Sequence, residues 1–459
     1  MNRLTAYILA ATVAAAATSH RTRAQEQGLE VPRLPQSAAA VAPEPGPLPP
    51  PHGDAAPQII TLAEAERLAG ETHPALREAS AQVRALGGKW LQVGLRPNPT
   101  VAYSGSEIGD EGRAGQQGGY VGQEFVTAGK LGWNRSVVFH EQQAAEQRLT
   151  RTQLQVLTTV RRYYFEALVA ERSVTLAHQL TDIAARSVAV SEQRLKALDV
   201  PKTSLLQSQI ESESSQLLEQ QASERYQAAW RRLSSVTGMP GDRPQALEDV
   251  LGRPLPELDY AAVSERLKHE SPDLAELRFA VDQARANVGR ATAGRVPNLS
   301  AQAGVQRDNA TRDNIANVQV SIPLPIFDRN QGGITEASGQ LAAAQAALEA
   351  RELSLDQQLS IALRDYRTAR ERVTKYTTKI LPAAQETLGM MNQGYQQGQL
   401  DYLQVLTVQQ TYAAKNLSYL HDLETAWKEW AEIEGLLVGE LPQTSIDRVA
   451  ERPENILSR

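Results

Sequence analysis

The residues Ser271-Pro272-Asp273-Leu274 repeat a pattern that the chain has already used at His73-Pro74-Ala75-Leu76, 198 residues earlier. Three more pairs follow in the same order, at offsets of 200, 202 and 200 residues: Arg96-Pro97-Asn98-Pro99 with Val296-Pro297-Asn298-Leu299, Arg162-Tyr163-Tyr164 with Arg364-Asp365-Tyr366, and Ser204-Leu205-Leu206-Gln207-Ser208-Gln209 with Gln404-Val405-Leu406-Thr407-Val408-Gln409. This period is far longer than the roughly 20 to 50 residues of solenoid repeats. The sequence therefore predicts two structural repeats, at residues 59–250 and 251–440.

Very long helices are predicted in both repeats. The 68 residues from Trp133 to Val200 contain neither Gly nor Pro, and as one helix they would extend over ~100 Å. Apolar or small residues recur in alternating steps of four and three from Val156 to Leu195, which is the heptad spacing of a left-handed coiled coil. Residues 341–376 show the same seam in steps of seven. Because no globular core is that wide, we expect a coiled-coil or tubular assembly; a fibrous coiled coil is the alternative.

Each long helix is followed by a shorter return helix. Runs without Gly or Pro at residues 202–237 and 402–434 predict these helices, with turns at Asp199-Val200-Pro201 and at residues 398–401. A capping box at Thr61-Leu62-Ala63-Glu64 predicts the start of the first helix. Each repeat therefore contains a helical hairpin.

A β-hairpin is predicted inside each repeat, at about residues 99–126 and 298–324. In the second repeat, apolar residues alternate with polar ones from Leu299 to Gln306 and again from Asn317 to Leu324, across a polar loop at residues 307–315. Segments of about ten residues with this alternation match tilted transmembrane β-strands. The alternative is a soluble hairpin with one face on a core.

Four strands per chain do not close a barrel, because a single-chain barrel needs about eight. Two isolated hairpins would also leave unpaired edges, which lipid does not tolerate. Several copies that pool their strands would remove these edges. The sequence therefore predicts an oligomer, whose number of subunits the strand count alone does not fix.

The two ends of the chain have distinct compositions. Residues 1–24, with basic Arg3 and an Ala-rich apolar core, predict a signal peptide, for which cleavage after Ala17 or Ala24 fits equally; a buried Ala-rich helix is the alternative. Residues 25–58 contain nine prolines and predict an extended linker. Residues 441–459 are assigned to a C-terminal tail. After the signal there is no run of 18 apolar residues, so no transmembrane helix is predicted.

Catalytic and cofactor sites are not predicted. The net charge of −6 and the absence of a basic run disfavour nucleic acid as a partner, and the lack of cysteine excludes thiolate chemistry and disulfides. Gly129-Lys130 does not form a phosphate loop, since Leu131 stands where Ser or Thr would hold magnesium. His140-Glu141 does not begin a zinc site, since Ala144 replaces the second histidine. We expect no enzyme activity, no metal site and no cofactor.

In the order of its motifs the chain resembles a TolC-like outer-membrane efflux factor, over about residues 59 to 441. The similarity lies in the repeated motifs above together with further segments: Ile59-Ile60-Thr61-Leu62-Ala63-Glu64-Ala65, Leu233-Ser234-Ser235-Val236-Thr237-Gly238-Met239-Pro240, Ile322-Pro323-Leu324-Pro325-Ile326-Phe327-Asp328-Arg329-Asn330-Gln331-Gly332 and Ile380-Leu381-Pro382. Residues 323–332 are most similar to the cobalt-zinc-cadmium branch of heavy-metal efflux.

The resemblance implies a fold, a location and partners. The fold would be mainly α with a small membrane β-barrel: a trimer with a 12-stranded barrel, four strands per chain, continued by a long 12-helix α-barrel. The protein would lie in the outer membrane with its helical part in the periplasm. Its partners would be two further copies, outer-membrane lipid, a periplasmic adaptor and a proton-driven inner-membrane pump. It would be the passive exit duct of a tripartite efflux system, with heavy-metal cations as candidate substrates. The alternative is a non-conducting periplasmic scaffold or adaptor.

The helix turns are the expected gate and docking site. Family members often place rings of aspartate here, but the matching positions in this chain are Gln404 and Thr407, with Ser204 in the first repeat. Asp199 and Asp401 supply the nearby carboxylates. The gate residues are therefore predicted as follows: Asp199, Ser204, Asp401, Gln404 and Thr407. The residues predicted to contact the adaptor are Arg194, Lys196, Tyr395 and Gly398.

Overall fold

The computed structural model describes residues 59–109 and 115–437. The predicted signal peptide, the Pro-rich linker and the C-terminal tail lie outside these residues. The described part is mainly helical, with one small β-sheet. This confirms the prediction of a mainly α fold with a small β portion.

The helices and strands follow the predicted order within each repeat. The elements are α1 (Leu62–Thr72), α2 (Pro74–Val93), β1 (Thr100–Ser106), β2 (Gln116–Phe125), α3 (Lys130–Lys196), α4 (Lys202–Thr237), α5 (Tyr260–Glu270), α6 (Pro272–Ala293), β3 (Leu299–Asp308), β4 (Asn314–Ser321), α7 (Gln331–Lys375), a π-helical turn (Tyr376–Ile380), α8 (Leu381–Gln396) and α9 (Tyr402–Leu436). The predicted capping box is present, since the Thr61 hydroxyl accepts a hydrogen bond from the Glu64 backbone N–H at 3.1 Å.

Helix α3 is a single helix of 67 residues, about 100 Å long at 1.5 Å per residue. Every position of its predicted seam, from Val156 to Leu195, is buried or half-buried. The seam of the second repeat is likewise covered, from Leu341 to Tyr376. The heptad pattern therefore predicted the packed face of both helices.

The second long helix is interrupted where the first is not. A π-helical turn at Tyr376–Ile380 separates α7 from α8. Pro382 follows it, and a proline inside a helix lacks an N–H donor and clashes with the carbonyl four residues earlier. A wider π turn at this point accommodates the proline without ending the helix. The heptad spacing of this segment did not predict the interruption.

Helix α3 is the common neighbour in two rows of helices. Near the sheet the row is α2, α3, α6 and α7; toward the helix turns it is α4, α3, α9 and then α7 with α8. Between these ends lies the main hydrophobic core, in which the rings of Phe165 and Trp427 stack at 4.8 Å. Two equivalent tyrosines fix irregular segments to the helices, Tyr164 in this core and Tyr366 in a second core. The Tyr164 hydroxyl donates to the Ile60 carbonyl at 2.9 Å, and the Tyr366 hydroxyl donates to the Pro256 carbonyl.

The two hairpins join into one antiparallel sheet of order β1-β2-β3-β4. The central pair, β2 with β3, connects the first repeat to the second. Strands β1 and β4 form the two edges, and within the described residues each pairs with only one strand, β1 with β2 and β4 with β3. The hairpins are therefore not isolated, and two open edges remain in each chain instead of four.

The strand boundaries differ from those predicted for β4. The strand covers Asn314–Ser321 instead of residues 317–324, so the polar loop before it is shorter than predicted. It ends before Pro323 and Pro325, which have no N–H to donate to a neighbouring strand. The alternation of apolar and polar residues continues past the strand, which is why the pattern alone extended it too far.

None of the helices within residues 59–109 and 115–437 combines the length and the apolar character needed to cross a membrane.

Candidate functional site

The two helix turns, which follow α3 and α8, are built in the same way. At the first, Leu198 has a φ of 64°, and at the second Gly398 has a φ of 77°. The next backbone N–H then reaches back to the helix: Asp199 donates to the Arg194 carbonyl and Gln399 to the Gly394 carbonyl, both at 2.9 Å. This is the Schellman arrangement of a helix C-terminus. A non-glycine residue in this conformation costs about 1–2 kcal/mol, so Leu198 makes the first turn the more strained of the two.

The return helices also begin alike. Pro201 and Asp401 occupy the N-cap positions of α4 and α9 with extended backbones. Their carbonyls accept hydrogen bonds from the N–H groups of Ser204 and Gln404, at 3.0 and 3.1 Å. Ser204 and Gln404 are therefore structurally equivalent, as the 200-residue offset predicted.

Arg194 connects the two turns. Its guanidinium lies over the Tyr395 ring, 4.8 Å from the centroid. It also donates hydrogen bonds to the backbone carbonyls of Tyr395 and Leu400, both at 3.3 Å. A cation at a helix C-terminus satisfies carbonyls that have no partner in the helix and interacts favourably with the helix dipole. The end of α3 is thus joined to the turn after α8.

The end of the molecule that carries the two turns is here called the tip. Beneath the turns lies a small separate core, the tip core, formed by Tyr395, Tyr402 and Val405. The Tyr395 and Ser191 hydroxyls form a buried hydrogen bond of 2.8 Å. The Tyr402 hydroxyl is also buried but has no hydrogen-bond partner in the described part of the chain. Burial raises the pKa of this phenol above its usual value, so it stays neutral and its O–H is left unpaired.

The predicted gate and docking residues have different surroundings. Six are exposed: Lys196, Asp199, Gly398, Asp401, Gln404 and Thr407. Ser204 and Arg194 are half-buried, while Tyr395 is only 2 % exposed. The Tyr395 ring therefore holds the turns together and offers no surface to a partner. The carboxylates of Asp199 and Asp401 point into solvent near the two turns.

Sequence reasoning did not single out the polar residues of the tip core. Gln409 donates a buried hydrogen bond to the Ser187 hydroxyl at 3.0 Å and lies within 3.5 Å of the Asn392 side-chain oxygen. Ser191 stood in the predicted seam, but only as a small residue. A polar side chain at a seam position between apolar ones is the signal that identifies such a hydrogen bond, because a buried polar group needs a partner.

A second candidate surface lies on the sheet, whose two faces have opposite character. The strand register places Val101, Val121, Ala303 and Val318 side by side on one face of the sheet, here called the apolar face. Seven large side chains are exposed on this face: Val101, Tyr103, Val121, Phe125, Val305, Val318 and Val320. The other face, the polar face, presents amides and hydroxyls, with Asn317 bonded to Gln306 at 2.8 Å. An apolar surface of this extent on an open sheet requires a lipid or protein cover.

Neither surface has the chemistry of a catalytic or metal centre. Within residues 59–109 and 115–437, no three His, Cys, Asp or Glu side chains lie close enough together to hold a metal ion. The tip offers backbone carbonyls, hydroxyls and amides that tie helices together.

Comparison with known proteins identifies the family. The sequence profile of the outer membrane efflux protein family matches residues 67–239 and 263–437, one match in each half of the chain. The chain therefore belongs to the outer membrane efflux protein family. It is an outer-membrane efflux channel, a transport conduit and not an enzyme.

Individual relatives agree with this assignment. The cobalt-zinc-cadmium resistance protein CzcC of Cupriavidus metallidurans is 27 % identical over 384 residues, which cover 82 % of this chain and 90 % of the relative. The nickel-cobalt-cadmium resistance protein NccC of Alcaligenes xylosoxydans is 25 % identical over 60 % of this chain and 63 % of its own length. The crystal structure of CusC shares the fold, with a TM-score of 0.71 and 20 % identity over 82 % of this chain and 92 % of that one.

The tip core leads to a prediction of opposite effects from one chemical change. Tyr395→Phe removes a hydroxyl bonded to Ser191, so we expect it to loosen the turns by about 1 kcal/mol. Tyr402→Phe removes a buried hydroxyl that has no partner, so we expect it to stabilise the turns by a similar amount. Hydrogen exchange of the backbone amides in residues 396–401 measures both effects: protection should fall in the first variant and rise in the second.

The two rings lie 5.7 Å apart, so each variant is the matched control of the other. A fall in protection in both variants would show that the Tyr402 hydroxyl has a partner and would contradict this description of the tip.

Proposed function

We propose that three copies of this chain close a 12-stranded barrel in the outer membrane and continue as a 12-helix tube in the periplasm. The observation that carries the proposal is the sheet: it has four strands, two open edges and one exposed apolar face. In lipid every backbone N–H and C=O needs a partner, so an open edge must be paired. Three copies supply 3 × 4 = 12 strands, enough for a closed barrel.

The junction between the two repeats supplies a template for the junction between subunits. Thr100 pairs with Gly122 in the first hairpin, and Ser300 pairs with Ser321 in the second, so β4 corresponds to β2 and β1 corresponds to β3. Within the chain, Tyr120 of β2 lies opposite Gly304 of β3. The equivalent pair across the subunit boundary is Gln319 of β4 with Ser104 of the partner subunit.

The edges of the helix rows support the same assembly. Toward the turns, α4 forms one edge and exposes three apolar side chains along one stripe: Leu206, Ile210 and Leu217. On the opposite edge, α8 exposes Met390, and the π-helical turn exposes Ile380. Near the sheet, α2 exposes Trp90 and Leu91. When copies assemble side by side, one edge of each row meets the opposite edge of the next copy's row. These side chains are then covered.

Transport through this assembly is passive, and the helix turns form its gate. If the strands lie in the membrane, the turns lie at the far periplasmic end, where the helices of three copies converge. Asp199, Ser204, Asp401, Gln404 and Thr407 line the constriction there. Burying the Tyr402 hydroxyl without a partner destabilises the packed turns by about 1–3 kcal/mol. This lowers the free energy needed to open the constriction.

The duct works with a periplasmic adaptor and a proton-driven inner-membrane pump. Lys196 and Gly398 are exposed on the turns and offer the contact surface. Arg194 and Tyr395 position that surface from within, since Arg194 joins the first turn to the second. An adaptor that pulls on either turn therefore moves both.

The proposed substrates are heavy-metal cations. Two relatives support this by name, as cobalt-zinc-cadmium and nickel-cobalt-cadmium resistance proteins. The charge of the polar face also supports it: among the described strand residues on that face, the charged side chains are both carboxylates, Glu124 and Asp308. A lumen lined in this way does not repel cations.

The barrel is tested by arginine on either face of β4. Val320→Arg places a charge on the apolar face in contact with lipid. Val320 is the last residue but one of β4, so we expect a cost between the about 0–1 kcal/mol of the interface and the about 2–4 kcal/mol of the bilayer midplane. Gln319→Arg, the adjacent residue on the polar face, should be far milder because its side chain reaches water. The yield of detergent-resistant trimer from the outer membrane measures both variants.

The pair is its own control, because the substitution and strand are the same and only the face differs. Equal loss of trimer in both variants would contradict the assignment of faces. Recovery of the wild-type protein as a soluble monomer without detergent would end the proposal as a whole.

The gate is tested by charge at the turns. Reconstituted wild-type channels should conduct poorly, because the turns are closed. Placing Arg at both Gln404 and Thr407 sets like charges around the threefold axis, and their mutual repulsion should force the helices apart. Single-channel current should therefore rise, and it should rise less at high salt, which screens exposed charges.

A matched control places the same charges on an exposed part of the helices away from the turns, as in Thr175→Arg with Gln179→Arg on α3, which is not an edge of the row. An unchanged current in the Gln404 and Thr407 double variant would place the constriction elsewhere. An equal rise in both double variants would show that added positive charge, and not its position, changes the current.

A further inference from the structure

The segment from β4 to α7 differs from its counterpart in the first repeat. Four residues, 126–129, connect β2 to α3, whereas nine residues, 322–330, connect β4 to α7. The extra length carries most of the apolar side chains: Ile322, Leu324, Ile326 and Phe327 are all exposed, and Phe327 is 90 % exposed. A longer connection with four exposed large apolar side chains is not needed to join a strand to a helix.

These side chains continue the apolar face of the sheet. Val318 and Val320 belong to that face, and Ile322, Leu324 and Ile326 follow at the same spacing of two residues. Between them stand Pro323 and Pro325, which cannot donate hydrogen bonds to another strand. The stripe therefore extends beyond the sheet without extending the sheet.

The polar groups of this segment are bonded internally. The Arg329 side chain donates to the Pro325 carbonyl at 3.3 Å, and the Gln331 amide donates to the Phe327 carbonyl at 3.2 Å. The Gln331 side-chain oxygen accepts from the Arg329 N–H, and Asp328 accepts from the Asn330 N–H, both at 2.8 Å. The chain thus fixes the shape of this loop by itself and leaves Ile326 and Phe327 projecting outward.

The physical chemistry of a bilayer limits where such a segment can lie. A non-strand backbone does not enter the hydrocarbon core, where unpaired carbonyls have no water. Large apolar and aromatic side chains are nonetheless stabilised at the boundary, where the side chain reaches the acyl chains and the backbone stays hydrated. The loop follows the end of β4 at which the chain enters α7, which is the periplasmic boundary of the proposed barrel.

We propose that Leu324, Ile326 and Phe327 form an interfacial wedge, inserted into the headgroup layer on the periplasmic side of the outer membrane. The wedge rests on the proposed function, because it needs the apolar face of the sheet to face lipid. It fixes the depth of the duct, since the loop resists being drawn out of the membrane when a partner pulls on the helices. The ligand is the lipid surface itself.

A second copy is the competing occupant, and the subunit template argues against it. By the register derived above, Thr100 of the partner subunit lies opposite Pro323, and Thr100 is the first residue of its strand. The strand that would cover the loop has therefore ended before Ile326 and Phe327. The chain bends at Ile326 and Phe327, and both side chains remain exposed.

The absence of cysteine makes a direct test possible. Three single-cysteine variants of the full-length protein, Phe327→Cys, Val320→Cys and Leu198→Cys, are each labelled with an environment-sensitive fluorophore and reconstituted in phosphatidylcholine bilayers. Leu198 is the matched control, because it is also 90 % exposed and lies in a turn at the other end of the molecule. Lipids that carry a nitroxide at the headgroup or in the middle of the acyl chain measure the depth of each label, and iodide measures its contact with water.

We expect the label at 327 to be quenched more strongly by the headgroup nitroxide than by the mid-chain nitroxide, with little quenching by iodide. The label at 320 should be quenched by the mid-chain nitroxide more strongly than the label at 327 is, because it lies deeper in the bilayer, and the label at 198 should respond only to iodide. A label at 326, from Ile326→Cys, should behave like the one at 327, which guards against a defect specific to one variant.

Two outcomes would overturn the wedge while the duct stands. In the first, lipid quenches the label at 320 but only iodide quenches the label at 327. In the second, no quencher reaches the label at 327, because a second copy covers it. Iodide quenching at both 320 and 327, without lipid quenching, would instead contradict the proposed function.

Discussion

Unpaired backbone groups at the two edges of the sheet are the constraint on which the rest of the structure depends. Strands β1 and β4 each present a row of N–H and C=O groups without a partner in the described chain, beside a face of exposed Val, Tyr and Phe side chains. In water such an edge promotes aggregation, and in lipid each unpaired group costs several kcal/mol. Closing the sheet with further copies removes both problems together, which makes assembly a condition of entering the membrane.

The duplication gives this closure a defined geometry. One junction between repeats already exists in the chain, where β2 pairs with β3 and α3 packs against α6. The equivalents of β2 and α3 in the second repeat are β4 and α7. Within the described residues they form the outer edge near the sheet, where no further strand or helix lies on their other side. The long helices transmit the same arrangement over about 100 Å to the turns, where Arg194 joins one hairpin to the other. A barrel in lipid and a gate far from it are therefore two ends of one set of helices.

Much of this architecture was predictable because it depends on periodicity. The runs without Gly or Pro predicted that the return helices begin at Lys202 and Tyr402. The alternation with a period of two predicted which residues share a face of each strand. The rest depends on contacts between segments distant in sequence. The pairing of β2 with β3, the π-helical turn before Pro382 and the buried state of Tyr395 follow from tertiary packing, which local patterns do not contain. Tyr395 shows the limit best: its turn was predicted, but the direction of its ring was set by Ser191 and Arg194, some 200 residues earlier.

The most direct measurement of the central claim is a disulfide across the proposed subunit boundary. In the variant with Gln319→Cys and Ser104→Cys, the two residues of one chain lie on opposite edges of the sheet. The edge strands are ~14 Å apart at about 4.8 Å per strand, and the pairing places Ser104 in line with Ile315, four residues from Gln319, so the two residues are roughly 20 Å apart. This is too far for a disulfide within the chain. Oxidation in the membrane should therefore yield a covalent trimer on a non-reducing gel. The control variant combines Gln319→Cys with Ser106→Cys. Ser106 is shifted by two residues along the partner strand, which places the two cysteines roughly 8 Å apart, so this variant should yield no covalent trimer. A monomer from the first variant, or a trimer from the shifted one, would contradict the account.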